Sequence, residues 1–258
     1  MQYVVDDLCV LMEELAPTGL ALDWDNVGLQ IGHPQKEVST VLVTLTVTPD
    51  VVARSLDARV DLIIAHHPLI FRPIKEIRQD QPLGSLIATL VKHDIALYVS
   101  HTNLDQAQKG LNHWLAEELQ LQETTILVHG SDAEVGLGRV GRVVPQTLAQ
   151  LKDEVEQLLG HPIRVVGDLQ RIVEKIAVLG GSGGGFIGEA KRAGVDVFIT
   201  GDISYHQAVD GLGLGLCLLD GGHFGTEQIM VAEVASYLRN HCPSLQVIEE
   251  TSANPFQF

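Results

Sequence analysis

Three places in the chain put imidazole and carboxylate side chains just after a short apolar run. His66 and His67 follow the run at 60–65, His101 and Asp105 follow the run at 95–100, and His223 and Glu227 follow the run at 214–219. Nitrogen and oxygen donors without cysteine suit Zn, Fe, Mn, Co or Ni rather than a structural cysteine site. The donors outnumber one tetrahedral site and fit two ions that share a bridging carboxylate or water, with positions left open. His223 and Glu227 are spaced i, i+4, so on a helix they share one face. Taken singly, each group has a plainer reading: a satisfied histidine at a turn, a helix cap, a surface helix pair. Their recurrence at strand ends is what points to metal chemistry.

Further acid–base groups repeat the pattern. Asp202 follows the run at 195–200, and His206 lies four residues beyond it. With His101 they are the candidate catalytic groups, because hydrolysis needs proton carriers besides the ligands. A glycine run at 180–185 follows a strand-like stretch and precedes a helix-like one. Gly181, Ser182 and Gly183 are the candidate anion-holding positions there, since amides at such a junction can face a phosphate. A tight strand-to-helix turn explains the run equally well. No Gly-Lys-Ser/Thr follows, so it is not a P-loop, and no acidic residue is placed for a dinucleotide ribose.

The elements that must position these groups alternate. An amphipathic helix at 5–15 is followed by a turn at 24–29, a strand within 38–47 and a helix from Pro49 capped by Thr48. The strand at 60–65 ends at the two histidines because Pro68 cannot continue a ladder. A helix at 82–93, a strand at 95–100 and a helix at 106–120 complete a β-α-β-α-β-α series, the signature of a parallel sheet covered by helices. In open α/β sheets, ligands bind beyond the carboxyl ends of the strands. Near residue 124 the texture changes. A glycine–valine stretch at 130–144 suggests a strand entering a second lobe, followed by a helix at 147–159 and strands at 163–166, 176–179, 195–200 and 214–219. Helices at 186–192 and 204–211 separate the later ones, and a last helix and a strand at 245–248 end the pattern. The expected division is 1–125 with 223–258 as the first α/β lobe, including a returning helix and strand, and 126–222 as the second.

The 258 residues are 45% hydrophobic, which describes a folded globular protein. The formal net charge of −16 and the lack of any Lys/Arg run disfavour nucleic acid as a partner. Three cysteines, Cys9, Cys217 and Cys242, give no disulfide framework and no C-x-x-C. No apolar run reaches the roughly 20 residues of a membrane helix, and the opening stretch is acidic where a signal peptide would be basic. A reduced, cytoplasmic protein is the expectation.

Several stretches together carry a resemblance. They are Trp24-Asp25-Asn26-Val27-Gly28-Leu29, Ala65 to Phe71 around the paired histidines, Ser100 to Asp105, Gly180 to Gly183, Thr200-Gly201-Asp202 with His206, and Asp220 to His223 with Thr226-Glu227. In this order they resemble the YbgI-type dinuclear-metal family, also called the GTP cyclohydrolase I type 2 homologues, over nearly the whole chain. The resemblance implies two similar α/β lobes with a metal site in the cleft between them. It implies two divalent transition-metal ions per chain on His66, His67, Asp105, His223 and Glu227, and a homohexamer. Thr46 departs from the pattern, since many relatives carry an acidic residue there, which bears on the support behind the ligands. The cyclohydrolase name rests on homology, so it implies a site and not a substrate.

Two functions fit these residues. One is a metal-dependent hydrolase acting on a nucleotide or other phosphorylated small molecule. The other is a non-catalytic metal-binding protein or ring-shaped scaffold. The surplus of acid–base groups beyond the ligands favours the hydrolase.

Overall fold

Apolar β-branched runs pair in register, and among the described residues the pairing gives two large sheets and one short two-stranded antiparallel pair. A computed structural model describes residues 2–130, 132, 134–251 and 253–256. By its internal contacts the chain divides into Met1–Leu104 with Met230–Ala253, and Asp105–Ile229 with Asn254–Phe258. The first unit carries β1 (Tyr3–Val4), α1 (Val5–Leu15), β2 (Gly28–Ile31), β3 (Glu37–Val38), β4 (Thr40–Thr44), α2 (Pro49–Asp57), β5 (Leu62–Ala65), α3 (Pro82–Lys92) and β6 (Ala96–Val99). Helix α4 (Thr102–Gln106) leads on to α5 (Leu111–Glu118), β7 (Gln122–His129), β8 (Gly136–Thr147), α6 (Leu148–Leu159), β9 (Arg164–Val166) and β10 (Ile172–Ser182). Then come α7 (Ile187–Arg192), β11 (Val197–Gly201), α8 (Tyr205–Gly213), β12 (Cys217–Asp220) and α9 (His223–Glu227), before α10 (Ile229–His241) and β13 (Gln246–Glu250).

The first unit's sheet has the order β13-β4-β5-β6-β2. Its first four strands are parallel and β2 closes the edge antiparallel to β6. Leu42, Ile63 and Leu97 share a core cluster with Val51, Val52, Ile87 and Leu90 of α2 and α3. The alternate positions Val41, Val43, Leu62 and Ile64 are equally buried, so both faces are covered. Helices α1 and α10 contribute Leu8, Met12, Met230, Val234 and Leu238, all buried. Thr48 caps α2 as its sequence suggested, its hydroxyl accepting from the Val51 amide at 3.3 Å.

The second unit's sheet has the order β7-β8-β10-β11-β12-β9. Only β10, β11 and β12 are parallel; β7, β8 and β9 run antiparallel to their neighbours. Phe198, Ala177, Leu179 and Leu218 lead its core, with Ile187 and Ala190 of α7 packed against them. The expected strand at 130–144 is thus the second arm of a hairpin. Its first arm, β7, gave no apolar signal because Gln122 to Thr125 are exposed. The glycine run also divides differently: β10 extends through Ser182, so Gly180 to Ser182 belong to a strand end rather than a loop.

The units divide at 104/105 and 229/230, whereas the sequence suggested 125/126 and 222/223. The reason is packing. Helix α5 lies on β8 and β10, and α9 lies on β10 and β11. The helix expected at 106–120 is broken at 107–110, and Arg139 holds that break. Its buried guanidinium donates to the carbonyls of Ala107, Gln108, Gly136 and Gly138 at 2.9–3.1 Å. No helix among the described residues is long and apolar enough to cross a membrane.

Arg139 and Arg142 lie three residues apart but carry different weights. Arg142 is half-exposed and pairs with Glu174 at the surface, where such pairs contribute about 0–1 kcal/mol. Arg139→Met is expected to lower the unfolding free energy by about 2 kcal/mol or more, the scale of losing hydrogen bonds to a buried charge. Arg142→Met should stay within about 1 kcal/mol. Denaturant titration of both variants checks this, and equal losses would remove the distinction.

Candidate metal centre

In the first unit, parallel register brings three strand ends side by side. Thr44 pairs with Ala65 and Ala65 with Val99, so Thr46, His66, His67 and His101 all follow neighbouring strands at one edge. The His66 amide continues the ladder to the Thr44 carbonyl at 3.2 Å and the His67 amide reaches Leu45 at 2.9 Å. One ring nitrogen from each of His66, His67 and His101 lies within 4.8 Å of the others.

Each imidazole is fixed from behind through Nδ1. His66 Nδ1 donates to the Ser100 carbonyl at 2.8 Å. His101 Nδ1 donates to Asp25 Oδ1 at 2.9 Å. His67 Nδ1 lies 2.7 Å from the Thr46 hydroxyl. A carbonyl can only accept, so neutral His66 carries its proton on Nδ1 and presents Nε2 as a ligand. His67 presents Nε2 the same way when the Thr46 hydroxyl accepts. Burial opposes ionisation of Asp25, but hydrogen bonds from His101 and Thr102 outweigh it and hold the carboxyl down at about 2.

The second unit repeats the arrangement. Ser182 pairs with Gly201 and Thr200 with Asp220, which aligns the carboxyl ends of β10, β11 and β12. Asp202 follows β11 in a left-handed conformation, φ +58°. Its Oδ2 accepts from His223 Nδ1 at 2.8 Å. Asp220 shapes the turn before His223, accepting from the Ile203 and Gly222 amides at 3.1 and 3.0 Å. His223 Nε2 lies 3.0 Å from Glu227 Oε2 across one helical turn. The Glu227 hydrogen bond lifts the His223 pKa to about 9; burial lowers it, while the charge of Glu227 and the bond to Asp202 add to the rise.

Gly181 makes room for this pair. A Cβ there would stand 2.2 Å from Glu227 Oε1, and the residue has φ +69°. Its amide donates to Thr226 Oγ1 at 2.9 Å, and the Gly183 amide bonds back to the Gly181 carbonyl at 3.1 Å. The amides of Gly181 and Gly183 are therefore engaged inside the protein, while the Ser182 side chain is exposed. Asp105 lies in α4 and is fastened to this unit by Asn112. The Asn112 amide donates to the Asp105 carbonyl and accepts from the Gly180 amide, both at 2.9 Å. His206 is exposed on α8, its ring edge-on to Tyr205 at 5.5 Å.

The donor set fits a metal. Each unit offers imidazoles oriented through Nδ1, and the second adds the buried carboxylate of Glu227. A hydrogen bond bridges His223 Nε2 and Glu227 Oε2 at 3.0 Å, and a cation suits the same pair of donor atoms. Sequence reasoning anticipated the imidazoles but missed Asp25, Asn112 and Arg139. Asp25 looked like a turn former; its partner His101 is 76 residues away, and no local pattern joins them.

The folded-state pKa of His223 lies above the ordinary value near 6.5. Its stabilising effect is therefore complete below about 6.5 and fades as pH rises towards 9. Metal-free protein should lose unfolding free energy across that window, and His223→Gln should lack this slope. NMR titration of the ring should centre near 9; a midpoint near 6.5 would contradict the bridge.

Comparison with known proteins agrees with this architecture. The family model described as Duf34/NIF3 (NGG1p interacting factor 3) matches residues 3–255. A Streptococcus pneumoniae protein named GTP cyclohydrolase 1 type 2 homolog is 40% identical, with 95% of each chain covered. A Bacillus cereus protein described as related to NIF3 has a crystal structure with a TM-score of 0.93 at 30% identity, covering 100% of this chain and 99% of its own. The solved structure of protein ybgI, described as of unknown function, gives 0.88 at 26% identity over 98% of this chain and 100% of its own. The chain belongs to the Duf34/NIF3 family.

Proposed function

We propose that this protein is a dinuclear-metal-dependent hydrolase acting on a nucleotide or other phosphorylated small molecule. His66, His67, Asp105, His223 and Glu227 are the residues we assign to two divalent transition-metal ions. The supporting observation is the Nδ1 anchoring of His66, His67 and His223, since ligating histidines are commonly held by an oxygen on their second nitrogen. Such ions supply Lewis acidity and a nucleophile at neutral pH.

The chain's own groups do the rest. Asp202 orients His223, and Thr46 orients His67. His101, backed by an ionised Asp25, is suited to carry a proton, because the carboxylate stabilises the imidazolium. In this reading Asp202 and His206 serve as further acid–base groups, and the Ser182 hydroxyl, with Gly181 and Gly183 shaping its strand end, meets an anionic group of the substrate. A second reading makes His101 a ligand, because it falls in the group with His66 and His67. The non-catalytic reading would leave His101 and Asp25 without a task. We place the protein in the cytoplasm as a homohexamer, with a small-molecule substrate and no nucleic acid or membrane partner.

Elemental analysis after reconstitution with Zn, Mn, Fe, Co and Ni should find about two ions per chain. Glu227→Ala should lose the most metal. His101→Ala should keep its metal and lose roughly 100-fold or more in turnover, the scale of a lost general acid–base group, on whichever nucleotide or phosphate ester proves to be a substrate. Metal loss from His101→Ala equal to that from His66→Ala would make His101 a ligand. No metal uptake at all would end the proposal. Light scattering should give a mass near six times 28.0 kDa; a monomer across micromolar concentrations would contradict the hexamer.

A further inference from the structure

Two large aromatic side chains stand in the open beside the histidine cluster of the first unit. Trp24 is 56% exposed and Phe71 is 42% exposed. Their ring centroids are 5.8 Å apart at 68°, and Trp24 is also 6.0 Å from His101 at 72°. Neither neighbour lies parallel to the indole, so neither covers it face to face. Exposed aromatic side chains that group together mark interaction surfaces, where tryptophan is enriched.

The pair is held firmly in place. Asp25, next to Trp24, bonds His101 Nδ1 and also accepts from the Thr102 amide at 3.0 Å and the Thr102 hydroxyl at 2.5 Å. Next to Phe71, the Ile70 peptide is clamped from both sides. Its amide donates to Gln30 Oε1 at 2.9 Å, and its carbonyl accepts from Asn26 Nδ2 at 2.5 Å and Gln30 Nε2 at 3.2 Å. Side-chain amides thus tie the Trp24 turn to the segment after His67. Surface loops without a task have no need of such fixing.

We infer that Trp24 and Phe71 form the wall on which the planar heteroaromatic ring of the substrate rests, a nucleobase by chemical class. This inference rests on the hydrolase reading and narrows its substrate. Stacking on an aromatic face tolerates any base, because every base has a π-face. It also suits a protein of net charge −16, which gains little from long-range attraction of a phosphate chain. The ring would then lie within reach of His101, the group assigned to proton transfer.

The sequence supplies its own reporter. The two tryptophans are Trp24, exposed, and Trp114, 8% exposed. In the full-length protein, the four ribonucleoside 5′-monophosphates and ribose 5-phosphate would be titrated against intrinsic emission, with calorimetry on the variants. At least one nucleotide should quench saturably and ribose 5-phosphate should not. Trp24→Ala should weaken that nucleotide's binding about tenfold, Phe71→Ala several-fold, and Trp24→Phe within about threefold of wild type. Quenching by none of the four at millimolar concentration, or unchanged affinity in both alanine variants, would overturn the inference. Ring-dependent binding without turnover of any nucleotide would keep the wall and remove the hydrolase reading. Turnover of a nucleotide with KM unchanged in both Trp24→Ala and Phe71→Ala would keep the hydrolase and remove the wall.

Discussion

Parallel pairing in register is the constraint on which the site depends. A parallel ladder aligns carboxyl ends, so whatever follows one strand lies beside whatever follows the next. In the first sheet that places Thr46, His66 and His101 after adjacent strands. In the second it places Ser182 at the end of one strand and Asp202 and Gly221 after the next two. Within these two sheets the antiparallel strands among the described residues lie towards the edges, at β2, β7, β8 and β9. The side chains that carry chemistry therefore come from the fully buried centre of each sheet, where register is most strongly specified.

Orientation needs a second set of groups. An imidazole at a strand end can rotate, and His66, His67, His101 and His223 are each stopped by an oxygen on Nδ1. The oxygens differ in kind: a backbone carbonyl for His66, a hydroxyl for His67, and carboxylates for His101 and His223. Carboxylates raise the basicity of the ring they hold more than neutral oxygens do. The supports of these histidines are thus not equivalent: His67 rests on the neutral Thr46 hydroxyl where His101 and His223 have carboxylates.

Much of the architecture was legible in the sequence because it is written locally. The helix at Val5–Leu15 shows its apolar spacing, Pro49 and Thr48 mark a helix start, and His66 to Pro68 marks a strand end. Elements without local apolar contrast were not legible. β7 opens with exposed polar residues, and β2 hid within what read as a turn at Gly28. The imidazoles could be named from residue type, but their supports could not. Asp25 and His101, or Asn112 and Gly180, meet across 76 and 68 residues. Such meetings are fixed by sheet order, which no local spacing encodes.

The Asn112 side chain has a mechanical consequence. One planar amide bonds both the Asp105 carbonyl and the Gly180 amide. Gly180 leads directly to Gly181, against which Glu227 lies, and the Gly181 amide in turn holds Thr226. A displacement of the Asp105 backbone is therefore transmitted through a stiff linkage to the backbone beside Glu227. The residues that bear the two carboxylates are thus tied to one hydrogen-bonded frame.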